Sequence, residues 1–158
     1  KTDEDVNSAK KYLPSQLTEF LKEVDTVIIA LPETDETKNL IGEKELNLLG
    51  KQGILVNIGR GDVVNEGALF NALKNKIISG AAIDVWYNYR PEPVNDKKYP
   101  YDFEKYPFHE LENVILSPHR AASPFDDLKR WDEVIENISR FAKEETDFLN
   151  VVDIEKGY

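Results

Sequence analysis

The chain has 158 residues, 41% of them hydrophobic, which is enough to bury one core and too many for a disordered polymer. Its 30 Asp and Glu against 20 Lys and Arg give a net charge of −10, a field that repels phosphate backbones and sets nucleic acid aside as a main partner. There is no cysteine, which excludes disulfide frameworks, thiolate zinc sites and thiol catalysis.

The longest apolar run, Val27 to Leu31, falls far short of the ~20 residues a bilayer span needs, so no membrane partner is expected. Lys1 to Lys11 is polar and acidic and has no apolar signal region, so a cytoplasmic location is expected. The chain opens on Lys1 and contains no Met, which suggests a portion of something longer.

Ser15 is read as the N-cap of a short helix whose apolar face is Leu17, Phe20, Leu21 and Val24. Thr26 to Leu31 is apolar on both faces, as a buried parallel strand should be, and Pro32 stops it. Glu33 to Asn39 reads as a loop, Glu43 to Leu49 as a short helix, and Gly50 to Gly53 as a turn. Ile54 to Ile58 is a second buried strand, closed by Gly59-Arg60-Gly61. Asn65 caps a helix through Leu73, with Ala68, Leu69 and Ala72 facing inward.

Ser79 to Val85 is a third strand whose small residues imply a close neighbour. Trp86 to Glu112 has no clean period and exceeds ordinary loop lengths, which points to a functional or oligomeric insertion. Val114 to Leu116 is a fourth strand running into Ser117-Pro118-His119-Arg120. Ser123-Pro124 reads as a cap that starts a long helix with Leu128, Trp131, Val134, Ile135, Ile138 and Phe141 on one stripe. The tail from Asn150 to Tyr158 leaves that helix.

Strands separated by helices predict βαβ units, right-handed crossovers and a parallel sheet. Ligands bind such sheets at the carboxyl ends of the strands. All four strands end in chemically usable residues: Pro32 to Asp35, Asn57 to Asp62, Asp84 and His119. Arg60, between two glycines, offers a planar fork for a carboxylate or phosphate, although a solvated loop arginine is the plainer reading. His119 suits proton transfer to a carbonyl oxygen, but a lone histidine is more often structural. Asp84 ends an apolar strand, so it must bond something polar, a ligand or a turn. Two separated histidines and no cysteine leave no metal site, and no Gly-rich phosphate loop is present.

Taken in order, several segments resemble the D-isomer-specific 2-hydroxyacid dehydrogenases. They are Asp25 to Pro32, Thr34 to Ile41, Gly53 to Gly61, Val64 to Leu69, Gly80 to Val85 and Asn113 to His119. Asn150 to Asp153 and Gly157-Tyr158 resemble the family's C-terminus. The resemblance implies part of a doubly wound, Rossmann-type α/β sheet of about four strands with flanking helices. It also implies hydride transfer between NAD or NADP and a D-2-hydroxy or 2-keto acid, of glyoxylate/hydroxypyruvate or phosphoglycerate type.

On the same resemblance, Arg60 would hold the substrate carboxylate and polarise the keto group, and His119 would be the general acid of reduction. Asp84 would bond the nicotinamide carboxamide, while Leu31, Pro32, Ile58, Gly59 and Ala121 would line the cofactor. A homodimer is expected. Residues 1–122 would be the C-terminal part of the NAD(P)-binding domain. Residues 123–158 would be a C-terminal helix and tail that pack back on a catalytic domain outside this sequence.

The sequence departs from the family pattern in two ways. Members carry a Glu that pairs with the histidine, whereas Tyr89 stands at the usual spacing here and Glu92-Pro93 follows three residues late. Glu92 is the preferred partner because a carboxylate stabilises imidazolium; Tyr89 stays open. The N-terminal domain, the G-x-G-x-x-G turn and the residue selecting NAD over NADP are not in the sequence. The rival reading is a non-catalytic, dinucleotide-sensing protein of the same fold, which would need neither Arg60 nor His119.

Overall fold

The computed structural model describes residues 9–94, 96–121 and 130–151. Four strands form one parallel sheet in sequence order: β1 (Thr26–Ile29), β2 (Ile54–Asn57), β3 (Gly80–Ile83) and β4 (Val114–Leu116). The helices are α1 (Leu17–Glu23), α2 (Glu43–Leu49), α3 (Glu66–Lys74) and α4 (Arg130–Ala142). The expected βαβ pattern is therefore present.

Local chemistry explains most of the boundaries. Asn65 caps α3 as expected, its Oδ1 accepting the Ala68 N–H at 2.9 Å. At α2 the Glu45 carboxylate reaches back to the Gly42 N–H at 3.1 Å, and Gly50, at φ +76°, ends the helix in the left-handed conformation glycine tolerates.

Ser15 is not the cap of α1. It lies inside a short 3-10 turn, Pro14–Gln16, and Gln16 makes the start instead. The Gln16 Oε1 accepts the Leu13 N–H at 2.9 Å, while its own N–H donates to the Leu13 carbonyl at 2.8 Å. The Ser123-Pro124 cap, Leu128 and most of the C-terminal tail lie outside the described residues.

The strands differ from the sequence reading in one respect that matters. They were expected to be buried on both faces, yet burial alternates. Val27, Ile29, Leu55, Asn57, Ala81 and Ile83 are buried, while Ile28 is 64% and Ile115 69% exposed. The cause is topological. Right-handed crossovers between strands laid down in one direction put every connecting element on the same face. On that face α1 packs against α2, and α2 against α3, over a core of Leu21, Leu46, Leu55, Leu69, Leu73 and Ile83.

The insertion after β3 adds its own aromatic cluster to the core. Phe108 is fully buried, its ring edge-on to Phe70 at 5.4 Å and to Tyr101 at 5.4 Å. Gly80 lets the Asn113 carbonyl approach to 2.9 Å of where a Cβ would stand, which accounts for one small residue of β3. In α4 the predicted stripe forms, but Trp131, Val134, Ile135, Ile138 and Phe141 are all exposed. No described helix is long and apolar enough to cross a membrane.

Ile28 and Ile115 share the uncovered face, where apolar surface drives association. The 158-residue chain on its own is expected to self-associate at micromolar concentration. Ile115→Lys should shift sedimentation velocity profiles toward the monomer, with the far-UV circular dichroism spectrum unchanged.

Candidate active site

Because all four strands are parallel and in register, Ile29, Asn57, Ile83 and Leu116 end at one edge of the sheet. The loops that follow them gather the candidate residues along that edge. Leu31 and Pro32 follow β1, Ile58 to Gly61 follow β2, Asp84 follows β3, and Ser117 to Ala121 follow β4. Adjacent strands lie ~4.8 Å apart, so the segments carrying Arg60 and His119, two strands apart, are separated by roughly 10 Å. That is room for one small acid.

Asn57 builds the Arg60 turn. Its side chain, 1% exposed, accepts the Gly59 N–H at 3.1 Å and donates to the Arg60 carbonyl at 2.9 Å. Gly59 and Gly61 are needed here for closeness: a Cβ at Gly59 would meet the Leu31 carbonyl at 2.5 Å, and one at Gly61 the Trp86 carbonyl at 2.3 Å. Arg60 itself is exposed, with extended backbone and its Nη1 donating to the Gly59 carbonyl at 2.8 Å. The remaining guanidinium N–H groups are available for an anion.

Asp84 is 5% exposed and holds the loop after β4. Its Oδ1 accepts from the Ser117 hydroxyl and, at 2.7 Å, from the Arg120 N–H; its Oδ2 accepts the Ala121 N–H at 2.9 Å. Burial by itself raises the Asp84 carboxyl. The donors from Ser117, Ala121 and Arg120, with the charge of His119, outweigh burial and hold it below its ordinary value. The clamp is thus fully present above the unfolded value of ~3.9 and is lost as pH falls through the depressed folded value. A carboxylate has about four lone-pair sites, so one on Oδ2 remains for a further donor such as a carboxamide.

His119 lies inside that clamp with φ +57°, in the left-handed region, where a side chain costs about 1–2 kcal/mol. Its ring is exposed and stands 5.5 Å from the ring of Tyr89, tilted by 44°. The Tyr89 hydroxyl accepts the Trp86 N–H at 3.1 Å, which holds that ring in place. Glu92 lines a different cleft, with Asn88, Pro91, Tyr99 and Tyr101, and makes no ion pair with His119 among the described residues.

Leu31 and Ile58, 42% and 43% exposed, are neighbours on the rim, since Ile58 N–H bonds the Ile29 carbonyl at 3.0 Å. Pro32 is half-buried, and its carbonyl accepts the Thr37 hydroxyl at 2.7 Å. This apolar rim, with the spare acceptor of Asp84, fits a flat heterocycle bearing an amide, as a nicotinamide does. No group of His, Asp and Glu among the described residues could hold a metal ion.

The sequence reading counted Asn57 among the usable residues after the second strand without its positioning role, and gave no such role to Ser117 or to Trp86, whose Nε1 donates to the Ser117 carbonyl at 2.9 Å. The role of Asn57 could have been found from its place as the one polar residue of a buried strand. Crowding at Gly61 gives a direct test. Gly61→Ala pushes a methyl into the Trp86 backbone and should cost about 1–3 kcal/mol in urea unfolding.

Comparison with known proteins bears on the family and the fold. Residues 1–121 match the model of the D-isomer specific 2-hydroxyacid dehydrogenase NAD binding domain, including residues 1–24, which showed no matching motif. A glyoxylate reductase of Aeropyrum pernix is 41% identical over 128 residues, 80% of this chain and 35% of that protein. Among solved structures, a D-isomer specific 2-hydroxyacid dehydrogenase of Xanthobacter autotrophicus Py2, in complex with NADPH, superimposes with a TM-score of 0.70 at 33% identity. The match covers 91% of this chain and 54% of that one. An NADPH-dependent glyoxylate/hydroxypyruvate reductase of Sinorhizobium meliloti, in complex with NADP and malonate, gives 0.68 at 30% identity, over 90% of this chain and 40% of that one. The chain spans about a third of the length of the curated relatives it matches. With residues 1–121 of the 158 matched to the family's NAD binding domain, the chain belongs to the D-isomer specific 2-hydroxyacid dehydrogenase family.

Proposed function

We propose that this chain carries the nicotinamide-side and catalytic residues of an NAD(P)-dependent enzyme that reduces a small 2-keto acid to the D-2-hydroxy acid. The observation that carries the reading is the placement of Arg60 and His119, both exposed, on loops two strands apart at the ligand-binding edge of the sheet. Curated relatives named glyoxylate reductase support a substrate of glyoxylate or hydroxypyruvate size.

Arg60 grips the substrate carboxylate with two parallel N–H donors and draws electron density from the keto oxygen. The cofactor, when bound, supplies the hydride for the keto carbon. His119, protonated, gives its proton to the keto oxygen as the alkoxide charge develops, and runs as a base in the reverse direction. Leu31, Pro32, Ile58, Gly59 and Ala121 would form the cofactor wall, and Asp84 would accept from its carboxamide N–H. The Tyr89 ring supports Tyr89 as the immediate neighbour of the imidazole, in the place given to Glu92 on sequence grounds. The acidic, cysteine-free composition supports a cytoplasmic enzyme, and a homodimer is the assembly proposed.

The test uses the complete enzyme with glyoxylate or hydroxypyruvate. Arg60→Lys keeps the charge and loses the fork, so KM for the keto acid should rise and kcat fall while NADPH or NADH affinity holds. His119→Ala should lower kcat/KM by ~10²–10⁴-fold. An Arg60→Lys enzyme that loses cofactor binding instead would move Arg60 out of the substrate pocket.

A second set concerns pH. Reduction needs a protonated His119, so activity should fall as pH rises through its titration. With Glu92 away from the imidazole, Glu92→Gln should leave that limb in place. Profiles of kcat/KM from pH 5 to 9 decide it, and a downward shift with Glu92→Gln would restore Glu92 as the partner.

A further inference from the structure

The geometry points to Asp84 as a positioning residue for His119: its carboxylate holds the Ser117 to Ala121 turn in the shape that presents the imidazole. This inference rests on His119 being the proton donor of the proposed reaction, and it adds a second duty to a residue otherwise assigned to the cofactor.

Three observations meet at this residue. The side chain is buried, yet it is satisfied only by the loop after β4, from the Ser117 hydroxyl and the Arg120 and Ala121 amides. These donors bracket His119 on both sides along the chain. His119 itself has a left-handed backbone, at φ +57°, which a side-chain-bearing residue adopts only when its surroundings impose it. Finally, the turn is held at its start from a second direction, because the Ser117 N–H bonds the Ile83 carbonyl at 2.8 Å and the Trp86 indole bonds the Ser117 carbonyl. The Asp84 bonds to the Arg120 and Ala121 amides lie beyond His119, so they hold the far end of the turn that carries the imidazole.

Among the described residues the Tyr89 ring, from the loop after β3, stands against the imidazole, and Arg120 follows it in the same turn. Both remain in an Asp84 variant, so a comparison with wild type isolates the carboxylate. Asp84→Asn keeps the shape of the side chain, but its amide nitrogen cannot accept from either backbone N–H.

The experiment compares wild type, Asp84→Asn and Ser117→Ala in the complete protein, each with and without His119→Ala. Asp84→Asn should lower kcat roughly ten- to a hundredfold, since small displacements of a reacting group cost that much. In the His119→Ala background the same change should cost less than about twofold, because the loss passes through the imidazole. Ser117 is placed to touch only the clamp, so Ser117→Ala should lower kcat several-fold with NAD(P)H affinity unchanged. It stands as the test if Asp84→Asn fails to fold.

A readout independent of turnover is the NMR spectrum of the His119 ring, identified by its loss in His119→Gln. Asp84→Asn should move and broaden these signals whether or not the protein reduces keto acids. Absence of reductase activity in wild type therefore sinks the proposed reaction, while this spectrum still tests the clamp. A raised NAD(P)H Kd with the His119 signals unmoved would overturn the positioning role and leave Asp84 as a cofactor ligand alone. An equal loss from Asp84→Asn with and without His119 would overturn it as well.

Discussion

One buried carboxylate ties the end of β3 to the loop that follows β4. Asp84 is buried directly after β3, and each of its oxygens is engaged by the loop that follows β4. A buried Asp without partners would neutralise or unfold its surroundings. Here three donors keep it ionised, and in doing so they determine where His119 stands. The position of a proposed proton donor thus depends on a group that need not touch the substrate at all.

The Arg60 side of the site follows the same logic with neutral groups. Asn57 is nearly fully buried at the end of β2, and both ends of its amide are spent on the backbone of Gly59 and Arg60. The two glycines let neighbouring loops approach closely enough to lock the turn. In each case a rigid strand end holds a polar side chain, which in turn shapes the loop that displays the exposed cation or imidazole. Polar groups paired in this way make a preorganised edge, and among the described residues no buried side-chain polar atom lacks a partner.

Topology explains the exposed apolar surface. Strands added in one direction with right-handed crossovers place α1, α2 and α3 on one face, so Ile28 and Ile115 are left uncovered on the other. The exposed stripe of α4 belongs to the same picture of apolar surface without a described neighbour. With the chain spanning about a third of its curated relatives, a face of this kind is what part of a larger enzyme would present.

The sequence by itself determined the element types, the parallel sheet, the Asn65 cap and the clustering of usable residues at strand ends. These depend on periodicities and caps that act within a few residues, and local signals survive in one dimension. It also singled out Arg60, Asp84 and His119 as usable residues at strand ends, and the family resemblance implied their roles. What only the tertiary structure decided were relations between distant segments. That Tyr89 and not Glu92 lies against His119, that Asp84 reaches Ser117 across 33 positions, and that one sheet face is bare all follow from packing. The insertion between β3 and β4 has no period from which its path could be read. An apolar run looks the same in sequence whether one face is covered or two, since the second layer comes from chain elsewhere.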